Sequence, residues 1–392
     1  MILTIALAFF LVFMFQTVGG IMIGNILYYI VLIRTIFLRR SLRIKRSPIR
    51  NGFLVCFLSW SLLSTVLFAL ERSAFNGRNA IQFIFTMQYL VFVVDIEIDS
   101  KLLEEWLFRF SVMLSIAIIA LYLFTGEFHY FSSLFTTRRL WAKSFIPGWP
   151  NTTPIPLIIG LWLGMKRNCS RIFRILMITA LILTSSRVAM LGILAIYIHR
   201  FFLVSGGRLL KWFMFAPIIF GFSFLYDHFL NFLSLTIPSL AYRLSVIYDR
   251  QDVLRVTLKY VSERPLFGYG GNSLDQLNLV FGNISLYGID WGHTHNWLLE
   301  MLLRYGTIGL VLFSAFMIIS LLEIIDTQRK FMFGLLLLLG LFQNYLRNFN
   351  VLFLMFYLTM KSNESSLLEN KEAVFRDSFI HNRNNDSRRS LR

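Results

Sequence analysis

Residues 1–33, MILTIALAFFLVFMFQTVGGIMIGNILYYIVLI, contain no charged side chain. A helix that crosses a bilayer needs roughly 20 mostly apolar residues. Thirty-three are too many for one crossing and just enough for a tight pair, which Gly19-Gly20 divides. Only helices and closed barrels satisfy their own backbone in hydrocarbon, and runs this long and uninterrupted are helical. The stretch is not expected to be a cleaved leader: no basic residue precedes it, no small-residue cleavage site follows, and more apolar sequence comes at once.

The rest of the chain repeats the pattern. Of 392 residues, 56% are apolar and only 15% are charged, the latter gathered in clusters between uncharged runs. That composition excludes a soluble domain. The net charge of +17 suggests a nucleic-acid partner at first sight. Its basic residues, however, sit at the ends of apolar runs and in the C-terminal tail, where they carry topology and anionic-lipid contact. No nucleic acid is expected. Cys56 and Cys169 lie far apart, one in an apolar run and one in a basic loop, so neither a disulfide framework nor a thiolate metal site is indicated.

The fold class expected is an all-α integral membrane protein of about twelve transmembrane helices. The spans fall near 2–16, 20–38, 52–70, 80–94, 107–125, 152–165, 172–184, 188–204, 212–226, 296–319, 331–345 and 349–360. Lys and Arg favour cytoplasmic loops. Placing Arg39, Arg40, Arg43, Lys45, Arg46 and Arg50 inside puts 25 of the 38 basic residues on that side and 13 outside, with both termini cytoplasmic. The expected organisation is a bundle over 1–226 (spans one to nine), one large, partly helical extracytoplasmic loop over 227–295, further spans over 296–360, and a polar tail over 361–392 whose composition suits disorder. A lesser outer loop, 126–151, carries Arg138, Arg139 and Lys143.

The large loop holds most of the outer charge. Residues 249–263 read as an amphipathic helix along the membrane surface, with Leu254, Leu258 and Val261 at helical spacing and Arg250, Asp252, Arg255 and Lys259 between them. Arg264-Pro265 ends it, and Gly268, Gly270 and Gly271 make a bend. The loop closes on His293-Thr294-His295-Asn296-Trp297.

Several residues there suit chemistry on an anion. Guanidinium groups hold phosphate oxygens through paired hydrogen bonds and stay charged at any relevant pH. Arg243 and Arg250 would suit a pyrophosphate leaving group; the plainer reading pairs them with Asp249 and Asp252 and with lipid headgroups. Arg187, in Thr184-Ser185-Ser186-Arg187 between two apolar runs, either snorkels from a tight hairpin or serves a substrate path. An imidazole such as that of His295 accepts a proton near neutral pH and so could deprotonate a hydroxyl. His293, His295 and Asp290 could instead ligate a metal, but a further clear ligand is missing and no metal is expected. Glu300, one turn after Asn296, either orients this site or favours the helix start. Gly268-Tyr269-Gly270-Gly271 lacks the strand and lysine of a phosphate loop, and the motifs of soluble hydrolases are absent.

The order of these motifs resembles the O-antigen polymerase and O-antigen ligase superfamily of bacterial envelope proteins. Thr184-Ser185-Ser186-Arg187 resembles its serine-arginine hairpin. Arg250, then Glu263-Arg264-Pro265-Leu266-Phe267-Gly268-Tyr269-Gly270, resembles its arginine, amphipathic helix and glycine turn. His295-Asn296-x-x-Leu299-Glu300 with Gly306-Thr307-Ile308-Gly309 resembles its His-Asn helix start and following glycines.

What the resemblance implies is metal-independent glycosyl transfer, without a cofactor, on the outer face of the bacterial cytoplasmic membrane, from undecaprenyl-pyrophosphate-linked oligosaccharides. Carried over, Arg187 and Arg250 would bind the donor pyrophosphate and His295 would activate the acceptor hydroxyl. Arg243, His293 and Asn296 join them as candidate substrate-binding residues. Membrane lipids, a chain-length regulator and a flippase are the implied partners. The motifs do not separate polymerase from ligase; polymerase is preferred because such chains are many and diverse. A flippase or transporter is the rival class, but it would line a central cavity with cations, and here they gather in an outer loop.

Overall fold

The computed structural model describes residues 1–13, 23–39, 47–71, 88–93, 98–124, 153–184, 186–204, 248–270, 296–341 and 349–360. Among these every regular element is helical. They are α1 (Ile2–Phe13), α2 (Ile23–Arg39), α3 (Pro48–Glu71), a 3-10 turn (Gln88–Phe92), α4 (Ser100–Phe124), α5 (Pro154–Lys166), α6 (Arg171–Leu183), α7 (Arg187–Val204), α8 (Tyr248–Glu263), α9 (Trp297–Leu322), α10 (Thr327–Leu339) and α11 (Phe349–Thr359). The expected span at 212–226, the loop 126–151 with its basic residues, and the tail 361–392 lie outside the described residues.

Among the described residues two helices, α3 and α9, are long and apolar enough to cross a membrane. Several others are apolar but shorter, such as α1 and α5. At 1.5 Å per residue, a 12- or 13-residue helix rises only about 18–20 Å, so it crosses the full hydrocarbon only with its flanking residues. The count of twelve spans is therefore an expectation that the described helices do not establish; of the span expected at 80–94 only the 3-10 turn and Val93 are described. Helix α4 begins seven residues before the span expected at 107, because the charges in its first turns are accommodated by partners, as follows.

Glu104 on α4 accepts from Arg329 Nη2 at 2.7 Å and from the Tyr357 hydroxyl, with Lys166 Nζ at 3.5 Å. Arg329 Nη1 also donates to the Met360 carbonyl at 2.6 Å. Arg50 pairs with Glu323 at 2.8 Å. These bonds place the starts of α3, α4 and α10 and the ends of α5, α9 and α11 at one end of the bundle. A buried charge persists only when paired in this way. At the opposite end, the Asn350 amide at the start of α11 donates to the Phe10 carbonyl near the end of α1, at 3.0 Å.

Between the two ends the core is aromatic. Phe313 of α9 packs on Phe57 of α3 with ring centroids 5.1 Å apart and on Tyr89 of the 3-10 turn at 5.2 Å. Phe92 meets Phe316 at 5.4 Å, edge to face. Such pairs add to area burial because the ring edge faces the electron-rich face of its neighbour.

Candidate functional site

The chain direction of the helices fixes where the candidate residues lie. Helix α6 leaves the charged end, where Lys166 and Arg167 approach Glu104, and α7 returns to it. Arg187, first residue of α7, therefore sits at the far end. Helix α9 finishes at the charged end beside Arg50, so Asn296 and Trp297 begin it at the far end too. Helix α3 ends there at Glu71, whose carboxylate holds Arg264 at 2.5 Å. Arg187, the end of α8, and the start of α9 thus share one end of the bundle.

The hairpin that carries Arg187 is tight. Thr184 caps α6 and its hydroxyl donates to the Leu181 carbonyl at 2.6 Å. Ser186 precedes α7 with its carbonyl accepting from the Met190 amide, and its buried hydroxyl has no hydrogen-bond partner among the described residues. A helix N-terminus presents free N–H groups and the positive end of the helix dipole, which favours an anion. For Arg187 and Arg250 the backbone alone is described; Arg243, His293 and His295 lie outside the described residues.

Asn296 is described in full. Its side-chain oxygen accepts from the amides of Leu298 at 2.8 Å and Leu299 at 3.3 Å, so it is the N-cap of α9. The next residue fastens this helix start to the end of α10: Trp297 donates its amide to the Gly340 carbonyl at 3.2 Å and its indole Nε1–H to the Leu337 carbonyl at 3.0 Å. Asn296 thereby stands at a corner fixed to the end of α10.

The turn after α8 supplies the rest of the geometry. Residues 264–270 seat in a break in α9, which loses helical geometry at Gly306 (φ +66°, ψ −168°). A break strands the carbonyls of the preceding turn, and each finds a donor. The Leu303 carbonyl accepts from the Tyr269 amide at 2.9 Å, that of Arg304 from Ser64 Oγ at 3.2 Å, and that of Tyr305 from Trp60 Nε1 at 2.8 Å. In return the Thr307 amide donates to the Pro265 carbonyl at 2.8 Å. Ser64 Oγ also donates to the Phe267 carbonyl at 2.6 Å, and the Phe267 ring stacks on Trp60 at 4.9 Å.

Glycine is required at this junction. Gly268 has φ +68°, and a Cβ there would stand 2.5 Å from the Arg304 carbonyl. Gly270 has φ +57°, with a Cβ 2.6 Å from the Thr65 Cα. The Tyr269 hydroxyl donates to the Glu263 carboxylate at 2.8 Å.

Two readings made from sequence need correction. The apolar face expected on α8 was Leu254, Leu258 and Val261; the packed face is instead Val256, Tyr260 and Val261 against Phe68, Tyr269 and Leu303, while Leu254 and Leu258 are exposed. The span over 296–319 was read as continuous, and Gly306 breaks it. Sequence reasoning also passed over Arg304, whose Nε donates to Glu300 at 2.6 Å with both side chains buried. Its signal was present: an acid and a base four apart within an apolar helix. Among the described residues no group of three or more His, Cys, Asp or Glu stands at metal-binding spacing.

Residues 172–314 match the sequence model of the family described as O-antigen ligase. Over this stretch the chain is similar to that family. The matched stretch runs from α6 to the middle of α9 and encloses the hairpin of Arg187, helix α8, its seated turn and the Asn296 cap. The superfamily's members are glycosyltransferase-like membrane enzymes of polysaccharide biosynthesis. A comparison with curated proteins gives no match.

Proposed function

We propose that this chain is a member of the O-antigen polymerase and ligase superfamily and acts as a polysaccharide repeat-unit polymerase of the bacterial cytoplasmic membrane. It transfers a glycan from an undecaprenyl-pyrophosphate donor to a hydroxyl of a lipid-linked acceptor, on the outer face. The supporting observation is the family match over 172–314, which spans the arginine hairpin, the loop helix and the His-Asn helix start in that order.

In this reading the acceptor hydroxyl attacks the anomeric carbon of the donor sugar. A new glycosidic bond forms, the bond to the pyrophosphate oxygen breaks, and the electron pair leaves with the pyrophosphate. His295 takes the hydroxyl proton, a role that requires an imidazole within hydrogen-bond reach of that oxygen. Arg187 and Arg250, with Arg243, stabilise the charge that grows on the leaving group; donors aimed at developing charge act most strongly where water is excluded. His293 and Asn296, the latter at the N-cap of α9, complete the pocket.

The family description itself names a ligase, and this favours a second reading, transfer of finished glycan to a lipid A core or another acceptor. A carbohydrate gel of wild-type, deletion and His295→Ala strains separates them. The polymerase reading expects single repeat units in both mutants. Long polymer stranded on its carrier means a ligase. Unchanged glycan in a normally expressed His295→Ala strain would overturn the catalytic assignment.

A further inference from the structure

The seated turn lies deep. Its Phe267 stacks on Trp60, eleven residues before the end of α3, and its backbone meets Gly306, ten residues after Asn296. At 1.5 Å per residue these positions are about 15–17 Å below the far ends of α3 and α9. The hydrocarbon core of a bilayer is about 30 Å thick, so the turn reaches roughly its middle. Among the described residues these are the two helices long and apolar enough to span.

Non-helical backbone is tolerated at such depth only where the protein satisfies it. Several groups of the turn are satisfied in this way. Pro265 has no N–H, the Gly268 amide donates to the Arg264 carbonyl at 3.1 Å, and the Tyr269 amide and the Pro265 and Phe267 carbonyls bond to α9 and α3 as described. Arg264, held by Glu71 over the Phe68 ring at 5.0 Å, stands where the chain enters.

The exposed side chains agree. Leu266 is 52% exposed, Leu254 40% and Leu258 46%, and α3, whose Phe68 packs against α8, exposes Leu63, Val66, Leu67 and Leu70. Around α8 the packed residues occupy one side, Leu254 and Leu258 a strip next to it, and the exposed Lys259, Ser262 and Glu263 the remainder. A helix with protein, apolar and polar sectors suits a place at the bilayer boundary, with its strip toward lipid.

We infer that residues 264–270 form a re-entrant turn within the membrane, and that Leu254, Leu258 and Leu266 make a lipid-facing surface continuous with that of α3. Its partner is the acyl chains of the leaflet at that end of the bundle. The inference does not depend on glycosyl transfer. It deepens the site's description, because a turn anchored in hydrocarbon holds Arg250, on the same helix, at a fixed height above it.

The test uses the full chain in liposomes, with Cys56 and Cys169 replaced by serine and single cysteines carrying a nitroxide at Leu266, Leu258, Leu67, Ser262 or Lys259. Collision with oxygen, which partitions into hydrocarbon, is compared with collision with a water-soluble nickel chelate. All five side chains lie on the surface, so Leu258 carries the test should the Leu266 label disturb folding. The expected oxygen-to-chelate ratio at Leu266 and Leu258 matches that at Leu67 and exceeds that at Ser262 and Lys259 several-fold. A water-like ratio at Leu266 and Leu258 would overturn the inference. So would protection from both probes, which would mean a protein partner covers the strip.

Discussion

Replacing Gly268 by alanine tests the seating of the turn in the helix break. The residue has φ +68°, and an L-residue held in the left-handed region costs about 1–2 kcal/mol. Its Cβ would also stand 2.5 Å from the Arg304 carbonyl carbon and oxygen and 2.7 Å from the Gly306 nitrogen. These are backbone atoms that cannot swing aside, and such overpacking costs about 1–3 kcal/mol. The sum, about 2–5 kcal/mol, compares with a few bridging hydrogen bonds worth about 1 kcal/mol each net. The turn should therefore spend much of its time undocked. Hydrogen exchange read by mass spectrometry on peptides containing Tyr269 and Thr307 reports this directly, since both amides are bonded across the junction. Exchange there should rise at least about tenfold, the factor that corresponds to 1.4 kcal/mol. Gly52→Ala is the control, because nothing lies within 4 Å of its added Cβ and the position is helical. Unchanged exchange at Tyr269 and Thr307 in the Gly268→Ala protein would refute the account of the junction.

Glu300→Gln leaves the buried Arg304 guanidinium without its carboxylate and should destabilise the chain by about 3–5 kcal/mol, while the double change Glu300→Leu with Arg304→Met should recover most of this in thermal unfolding. Trp60→Phe keeps a ring for Phe267 to stack on but removes the donor to the Tyr305 carbonyl; a loss of about 1–3 kcal/mol is expected by the same assay. Asn296→Ala removes an N-cap and should cost about 1 kcal/mol, with Asn296→Asp restoring stability.

Local signals carried the helix positions. The expected ends of α6, α7, α8 and α11 lie within a residue or two of those observed, because apolar runs bounded by Ser170, Arg187, Arg264 and Phe349 mark them in the sequence. The shared end of the Arg187 hairpin, the loop helix and the His-Asn start follows from alternating direction, which charge clusters encode. The helix break was not legible. Gly306 and Gly309 look like ordinary glycines in a membrane helix until the turn from forty residues earlier is seen in the gap. The packed face of α8 was misjudged for a related reason. At a bilayer boundary leucines need not turn toward protein, so hydrophobic spacing alone cannot say which apolar strip packs. Arg304 was hidden by its apolar surroundings, although its spacing from Glu300 announced a pair.

The central claim is bond exchange at a pyrophosphate-linked sugar with His295 taking the proton. The most direct measurement is the release of polyprenyl diphosphate from a lipid-linked repeat unit by the purified chain in liposomes, followed alongside glycan length. Wild type should release it in step with each added unit, and His295→Ala should be slower by about 100-fold or more, the usual worth of a general base. Release at the wild-type rate by His295→Ala, or movement of the lipid-linked unit across the membrane without cleavage, would contradict the account.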